Sequence, residues 1–159
     1  MFGDIMKKIG FTIGKFAPLH KGHQYLIETA LKEMDELYVI VYETDLIEIP
    51  LEKRAEWIKE LYPTAKILLA KNPPKQYGLD EESVKIQNDY LKNILGDIKG
   101  THFYSSEPYG KYVARDFNVV NRIVDENRAF IKVSATEIRN NLDNYKEFVN
   151  EKIFKELKK

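Results

Sequence analysis

Ten residues, Gly14 to His23 (GKFAPLHKGH), bring a glycine, a lysine and two histidines in H-x-G-H spacing into one short stretch. Lysine ammonium and imidazole N–H groups donate to anionic oxygen, so the chemistry this set points to is phosphate binding. The histidines stand three residues apart with Gly22 before the second. At a helix start this spacing lets both imidazoles lie on one side with no side chain between them, able to donate to the same triphosphate. Gly14 lets the backbone close on a ligand, and Pro18 stiffens the crossing before His20. Free N–H groups near Gly22 and His23, reinforced by the helix dipole, are expected to favour an anion.

Such a stretch needs elements that hold it. Lys8 to Gly14 (KIGFTIG) alternates and is rich in β-formers, whereas Leu26, Ile27, Ala30, Leu31 and Met34 recur at helical spacing. The motif therefore occupies a strand-to-helix turn, where an α/β sheet holds phosphate. Glu36 to Thr44 (ELYVIVYET) reads as a buried strand, Pro50 opens a helix that Pro63 ends, and Lys66 to Ala70 is a third strand. Lys71 to Asp80 (KNPPKQYGLD) is an irregular loop before a helix from about Glu81 to Leu95. A fourth strand over Thr101 to Ser105, a short helix over Tyr109 to Phe117 and a fifth strand over Val119 to Val124 follow. His102, at the start of a buried strand, is read as structural.

From Ser134 or Ala135 onward, Ile138, Leu142, Tyr145, Val149, Ile153 and Leu157 mark one apolar side, read as one or two helices with a break near Asn144. The alternation of strands and helices predicts an α/β, Rossmann-like, doubly wound five-stranded parallel sheet of order 3-2-1-4-5 with helices on both faces.

The 159 residues suit a single domain, 1–159, with C-terminal helices from about 135. Lys plus Arg and Asp plus Glu number 25 each, and that balance argues against a general nucleic-acid or anionic-membrane binder. No cysteine is present, which removes a disulfide framework and a thiolate zinc site. MFGDIMKK has no apolar run of signal-peptide length and no stretch approaches a membrane span, so a cytoplasmic protein without membrane or nucleic-acid partners is expected. Phe148, Phe154 and Leu157 suit a homo-oligomer contact as readily as the core.

GKFAPLHKGH after the first strand, SSEPYG (Ser105 to Gly110) after the fourth and VSATEIR (Val133 to Arg139) at a late helix resemble, in order, the nucleotidylyltransferases that share H-x-G-H with class I aminoacyl-tRNA synthetases. The late motif is similar to the family's I-S-x-T-x-I-R. With DELYVIVYE, the PLEKRAEWI helix and VD-x-x-R, the set most resembles the nicotinamide mononucleotide adenylyltransferase domain of the NadR-like proteins. Those proteins usually carry a kinase domain after it and sometimes a DNA-binding domain before it; neither is expected in this chain. Phosphopantetheine adenylyltransferases usually have threonine at the first histidine position. Glycerol-phosphate cytidylyltransferases have a different late motif, and the synthetases are excluded by size and the lack of K-M-S-K-S.

The resemblance implies transfer of a nucleotidyl group from a triphosphate to a phosphomonoester, with pyrophosphate released. The nucleophile is already ionised, so catalysis reduces to alignment, worth roughly 7 to 11 kcal/mol in favourable cases, and charge stabilisation. His20, His23 and Lys15 are the implied catalytic residues, with His23 at the α-phosphate. Gly14, Phe16, Gly22, Ser134, Ala135, Thr136 and Arg139 are implied to bind the nucleotide phosphates, and magnesium to enter with ATP. Ser134 and Thr136 also suit helix caps.

For the acceptor, the candidates are Arg54, Trp57, Ser106, Glu107, Tyr109, Gly110 and Arg128. Trp57 lies off its helix's main apolar stripe with Arg54 one turn before it, a pair suited to a pyridine ring and its phosphate; a helix packing its second side is the alternative. A local ion pair is the alternative for Asp125 and Arg128. The leading expectation is an ATP:nicotinamide mononucleotide adenylyltransferase. The alternatives are a cytidylyltransferase or phosphopantetheine adenylyltransferase, or a non-catalytic nucleotide-sensing module, against which the chain's length without an output domain speaks.

Overall fold

A computed structural model describes residues 6–159. The amino-terminal stretch read above for a signal peptide falls partly outside the described residues. Five parallel strands, β1 (Ile9–Gly14), β2 (Glu36–Tyr42), β3 (Lys66–Ala70), β4 (His102–Ser105) and β5 (Val120–Ile123), form one sheet in the order β3-β2-β1-β4-β5. This is the Rossmann-like α/β architecture expected from the alternation.

The central strands β1 and β2 bury both faces because helices cover both, while the edge strand β5 leaves Val120 and Ile123 exposed. On one side α1 (Lys21–Glu33) and α2 (Leu51–Leu61), with the C-terminal segments, pack Ile27, Ala30, Ile58 and Ile138 on Leu37, Val39 and Val41. On the other, α3 (Glu81–Leu95) and α4 (Gly110–Phe117) pack Leu91, Leu95 and Val113 on Phe11, Ile40 and Phe103. Side chains alternate across the pleat, so Val39 and Val41 serve the first layer while Ile40 and Tyr42 serve the second. Each fully buried aliphatic contributes about 1.5–3 kcal/mol.

The chain winds from β1 outward to β3, then crosses to the far side of β1 to begin β4. Connections leave the carboxyl ends of β1 and β4 in opposite directions, and a crevice opens between them. The H-x-G-H turn follows β1 and SSEPYG follows β4, so topology brings together motifs some ninety residues apart.

The C-terminal region departs from the expected pattern. It forms α5 (Ala135–Asn140), a 3-10 stretch over Leu142–Phe148 and α6 (Glu151–Leu157), interrupted at Asn141 and Val149 and not only near Asn144. Asn150 caps α6 through its side chain, which accepts from Lys152 N and Ile153 N. Phe148, Phe154 and Leu157 lie partly buried against the first core layer, so each has a packing role within the chain. No helix among the described residues is long and apolar enough to cross a membrane.

Candidate active site

The crevice is a cavity of about 520 Å³ bordered by the turn after β1, the segment after β4, the loop around Arg128 and the start of α5. It gathers Gly14, Lys15, Phe16, His20, Gly22, His23, Ser106, Glu107, Tyr109, Arg128, Ser134, Ala135, Thr136 and Arg139 from the sequence-predicted set. Arg54, Trp57 and Gly110 do not line it.

His20 is the N-cap of α1. Its Nδ1 accepts from Gly22 N at 3.0 Å and His23 N at 3.4 Å, while His23 Nδ1 accepts from His20 N at 3.2 Å. The expectation of free N–H groups at Gly22 and His23 is thereby corrected, because the first imidazole already satisfies them. This reciprocal cap has a chemical consequence. A neutral imidazole that accepts at Nδ1 carries its proton on Nε2, so both rings keep an Nε2–H as donor.

Burial, with the Arg128 guanidinium as a smaller cause, pushes the His20 pKa down to about 4. Burial first, then His20 and Arg128, holds His23 well below the usual histidine range. Both rings are therefore neutral at pH 7. They stack with centroids 3.7 Å apart and planes at 24°. Among the described residues, neither Nε2–H has a hydrogen-bond partner in the protein. A Cβ at Gly22 would come within 2.8 Å of His20 Cε1, which explains the glycine between the rings.

Phe16 takes a left-handed conformation, φ 49°, and sets its buried ring edge-on to His23 at 4.8 Å. A Cβ at Gly14 would approach that ring at 3.0 Å, so this glycine makes room for Phe16. Lys15 Nζ lies 4.7 Å from the centre of the Tyr77 ring. Tyr77, Pro74 and Leu79, from the loop over 71–80, and Tyr42 and Leu46 form an apolar border that the sequence reading did not resolve to residues. The loop's irregularity was readable; which side chain turns inward depends on the Gln87 amide, which donates to Pro74 O and Gln76 O and ties the loop to α3.

The late motif meets the early one directly. Arg139 Nη1 donates to Ala17 O at 2.8 Å and Nη2 to Thr136 Oγ1 at 3.2 Å. Ser134 caps α5: its Oγ accepts from Glu137 N and donates to Glu137 Oε1, while its own N donates to the same carboxylate. Hydrogen bonds from Ser134 and then Tyr145 hold the Glu137 carboxyl below its ordinary pKa.

Three readings of the substrate side change. Trp57 is buried in the core and donates from Nε1 to Glu156 Oε2 at 2.6 Å, so its helix packs its second side on α6 and the ring is not available for stacking on a ligand. Arg54 is fully buried and donates only to main-chain carbonyls. Gly110 starts α4 against Ser105 Oγ and Asn121 Oδ1, each 2.6 Å from where its Cβ would lie.

Asp125 and Arg128 do not form the local ion pair considered above. The Asp125 carboxylate accepts from Phe130 N and Ile131 N, and Arg128 Nη2 pairs with Glu107 Oε1 at 3.1 Å, linking VD-x-x-R to SSEPYG. The Tyr109 hydroxyl donates to Asn88 Oδ1 at 2.5 Å, and burial pushes its pKa up to about 12.

Residues 10–72 match the model of the citrate lyase ligase C-terminal domain. The trifunctional NAD biosynthesis/regulator protein NadR of Salmonella typhimurium is 25% identical over 90% of this chain and 39% of its own length. The Escherichia coli NadR protein matches to the same extent. Over most of its length, then, the chain is similar to these two NadR proteins. It spans about two fifths of the length of these curated relatives.

Among solved structures, NadR in complex with NAD and AMP-PNP superposes with a TM-score of 0.66 at 24% identity, covering 91% of this chain and 45% of that one. A nicotinate-nucleotide adenylyltransferase from Vibrio parahaemolyticus, so named provisionally, superposes with a TM-score of 0.62 at 17% identity over 97% of this chain and all of that one. At those identities the superpositions establish the fold.

Proposed function

We propose that the chain transfers an adenylyl group from ATP to nicotinamide mononucleotide, forming NAD and pyrophosphate. The observation that carries this reading is the pair of neutral, stacked histidines whose Nε2–H groups remain unused beside a cavity that the late motif also borders. NadR, the relative similar over most of the chain, is named for NAD biosynthesis, and this favours a pyridine mononucleotide as acceptor.

In the proposed reaction a phosphate oxygen of the acceptor attacks the α-phosphorus of ATP. The bond from that phosphorus to the bridging oxygen breaks, and pyrophosphate leaves with the electron pair. No side chain has to remove a proton. His23 donates from Nε2 to the α-phosphate as charge builds there, and His20 donates alongside it. Neutral donors at this point need no counter-charge while the site is empty. Lys15 supplies a point charge, and Arg139 with the start of α5 at Ser134, Ala135 and Thr136 takes the β- and γ-phosphates. Tyr109, Ser106, Glu107 and Arg128 remain the proposed acceptor side.

No cluster of three or more metal-ligating side chains occurs among the described residues. Glu107 and Asp125 beside the cavity already engage Arg128 and two amides. The donor set therefore suits a magnesium ion that arrives on the triphosphate as part of the substrate.

The test is pyrophosphate release with ATP or CTP against nicotinamide mononucleotide, nicotinate mononucleotide, phosphopantetheine and glycerol phosphate. Turnover is expected for ATP with nicotinamide mononucleotide. Turnover confined to another pair overturns the substrate and keeps the reaction class. Nucleotide binding without turnover for any pair favours the sensing module.

A further inference from the structure

Arg54 has no role in the mechanism above, yet its surroundings are unusual. It is fully buried, it makes no ion pair among the described residues, and its Nη2 has no hydrogen-bond partner there. Burial lowers its pKa, offset only in part by the longer-range charges of Glu43 and Glu52; a guanidinium taken out of water without a carboxylate in contact is costly, and an apolar residue of similar volume would fill the same space more cheaply. What the guanidinium does make is a three-way tie. Nη1 donates to Lys15 O at 2.5 Å and to Tyr42 O at 3.0 Å, and Nε donates to Ile49 O at 3.2 Å. These carbonyls belong to the turn after β1, the end of β2 and the segment leading into α2. Lys15 and Tyr42 both border the cavity.

The bond to Lys15 O has a specific reach. That carbonyl and the Phe16 N–H belong to one peptide plane, and Phe16 is the residue at φ 49°. A non-glycine residue there is strained by about 1 kcal/mol or more and persists only when its neighbours hold it. Holding the plane fixes the Phe16 ring, which in turn abuts His23 edge-on. The same bond keeps the Lys15 carbonyl engaged on a residue outside the cavity, so its oxygen is not offered to phosphate oxygens it would repel.

We propose that Arg54 is a positioning residue for triphosphate binding, acting through the Lys15–Phe16 peptide to set the Lys15 ammonium and the His23 ring. This inference rests on the phosphate reading of the site given under Proposed function, so its test separates the two. Binding of ATP and of inorganic tripolyphosphate is measured by calorimetry for the wild type, Arg54→Lys, Arg54→Gln, Lys15→Ala and the Lys15→Ala/Arg54→Lys double variant, with folding followed by circular dichroism and thermal unfolding.

Folded Arg54 variants should bind both ligands about 10- to 100-fold more weakly, the scale of a lost charge-assisted hydrogen bond. In the Lys15→Ala background the same change should cost no more than about 3-fold, because coupled residues are not additive. A residue serving packing alone would give multiplicative losses. Unchanged affinity in a folded Arg54 variant, or multiplicative losses, overturns the inference and leaves the phosphate reading standing. Failure of both Arg54 variants to fold also overturns it, by making the arginine a requirement of the fold. A wild type that binds neither ligand removes the phosphate reading and this inference with it.

Discussion

Acidification should reveal the buried histidines before it affects any carboxylate. In an unfolded chain a histidine titrates near 6.5, whereas burial and Arg128 hold folded His20 at about 4. As the pH falls below 6.5 the unfolded state binds a proton that the folded His20 refuses, so stability declines as pH falls and recovers as pH rises. The loss runs from about pH 6.5 down to about 4, where the folded ring protonates as well. One pH unit of separation corresponds to about 1.4 kcal/mol, so His20 withholds about 3 kcal/mol across the whole window and about 2 kcal/mol between pH 6.5 and 5.

His23, lowered in the same direction, adds to the slope. Carboxylates with depressed pKa values, such as Glu33 and Asp116, lose their contribution only below the ordinary range near 4, so the two effects separate. The assay is urea unfolding at half-unit steps from pH 7 to 5 for the wild type and His20→Asn. Asparagine is a good N-cap and keeps an acceptor for Gly22 N and His23 N while removing the titration. The variant should lose about 1 kcal/mol per pH unit of slope averaged over this window, steepening toward pH 5. Equal slopes in the two proteins, or a flat wild-type profile, would refute the assignment of a buried neutral imidazole to His20.

Two further expectations follow from the same geometry. His23→Ala should reduce pyrophosphate release at least about 100-fold with folding intact, the scale of one lost transition-state donor; near-normal turnover in steady-state assays would remove its proposed role. Trp57→Phe should cost about 1–3 kcal/mol of stability in chemical denaturation, because Glu156 loses its indole donor, and should leave the KM for the mononucleotide unchanged. A raised KM in a fully folded Trp57→Phe protein would restore the stacking role that burial argues against.

The order of elements and the phosphate-binding character of two loops were readable without coordinates because they are local. Periodicity records which face of each segment is apolar, and H-x-G-H and S-A-T-E-I-R carry their donors within a single turn of chain. From these, the five-stranded order and the meeting of Gly14–His23 with Ser134–Arg139 could be anticipated. What a neighbour decides could not be read this way. Trp57 and Arg54 sit one turn apart on the same helix, yet Glu156 from the far end of the chain captures one and the Lys15 carbonyl captures the other.

The amides of Gly22 and His23 were expected to await an anion, but an imidazole that is itself polar took them first, and that exchange moved the donor to Nε2. Arg128 left its local partner for Glu107 because Asp125 found two main-chain amides nearer. Local sequence thus determined where phosphate-binding groups lie along the chain. Only tertiary packing decided which donors stay free, since burial makes every polar group take the partner within reach.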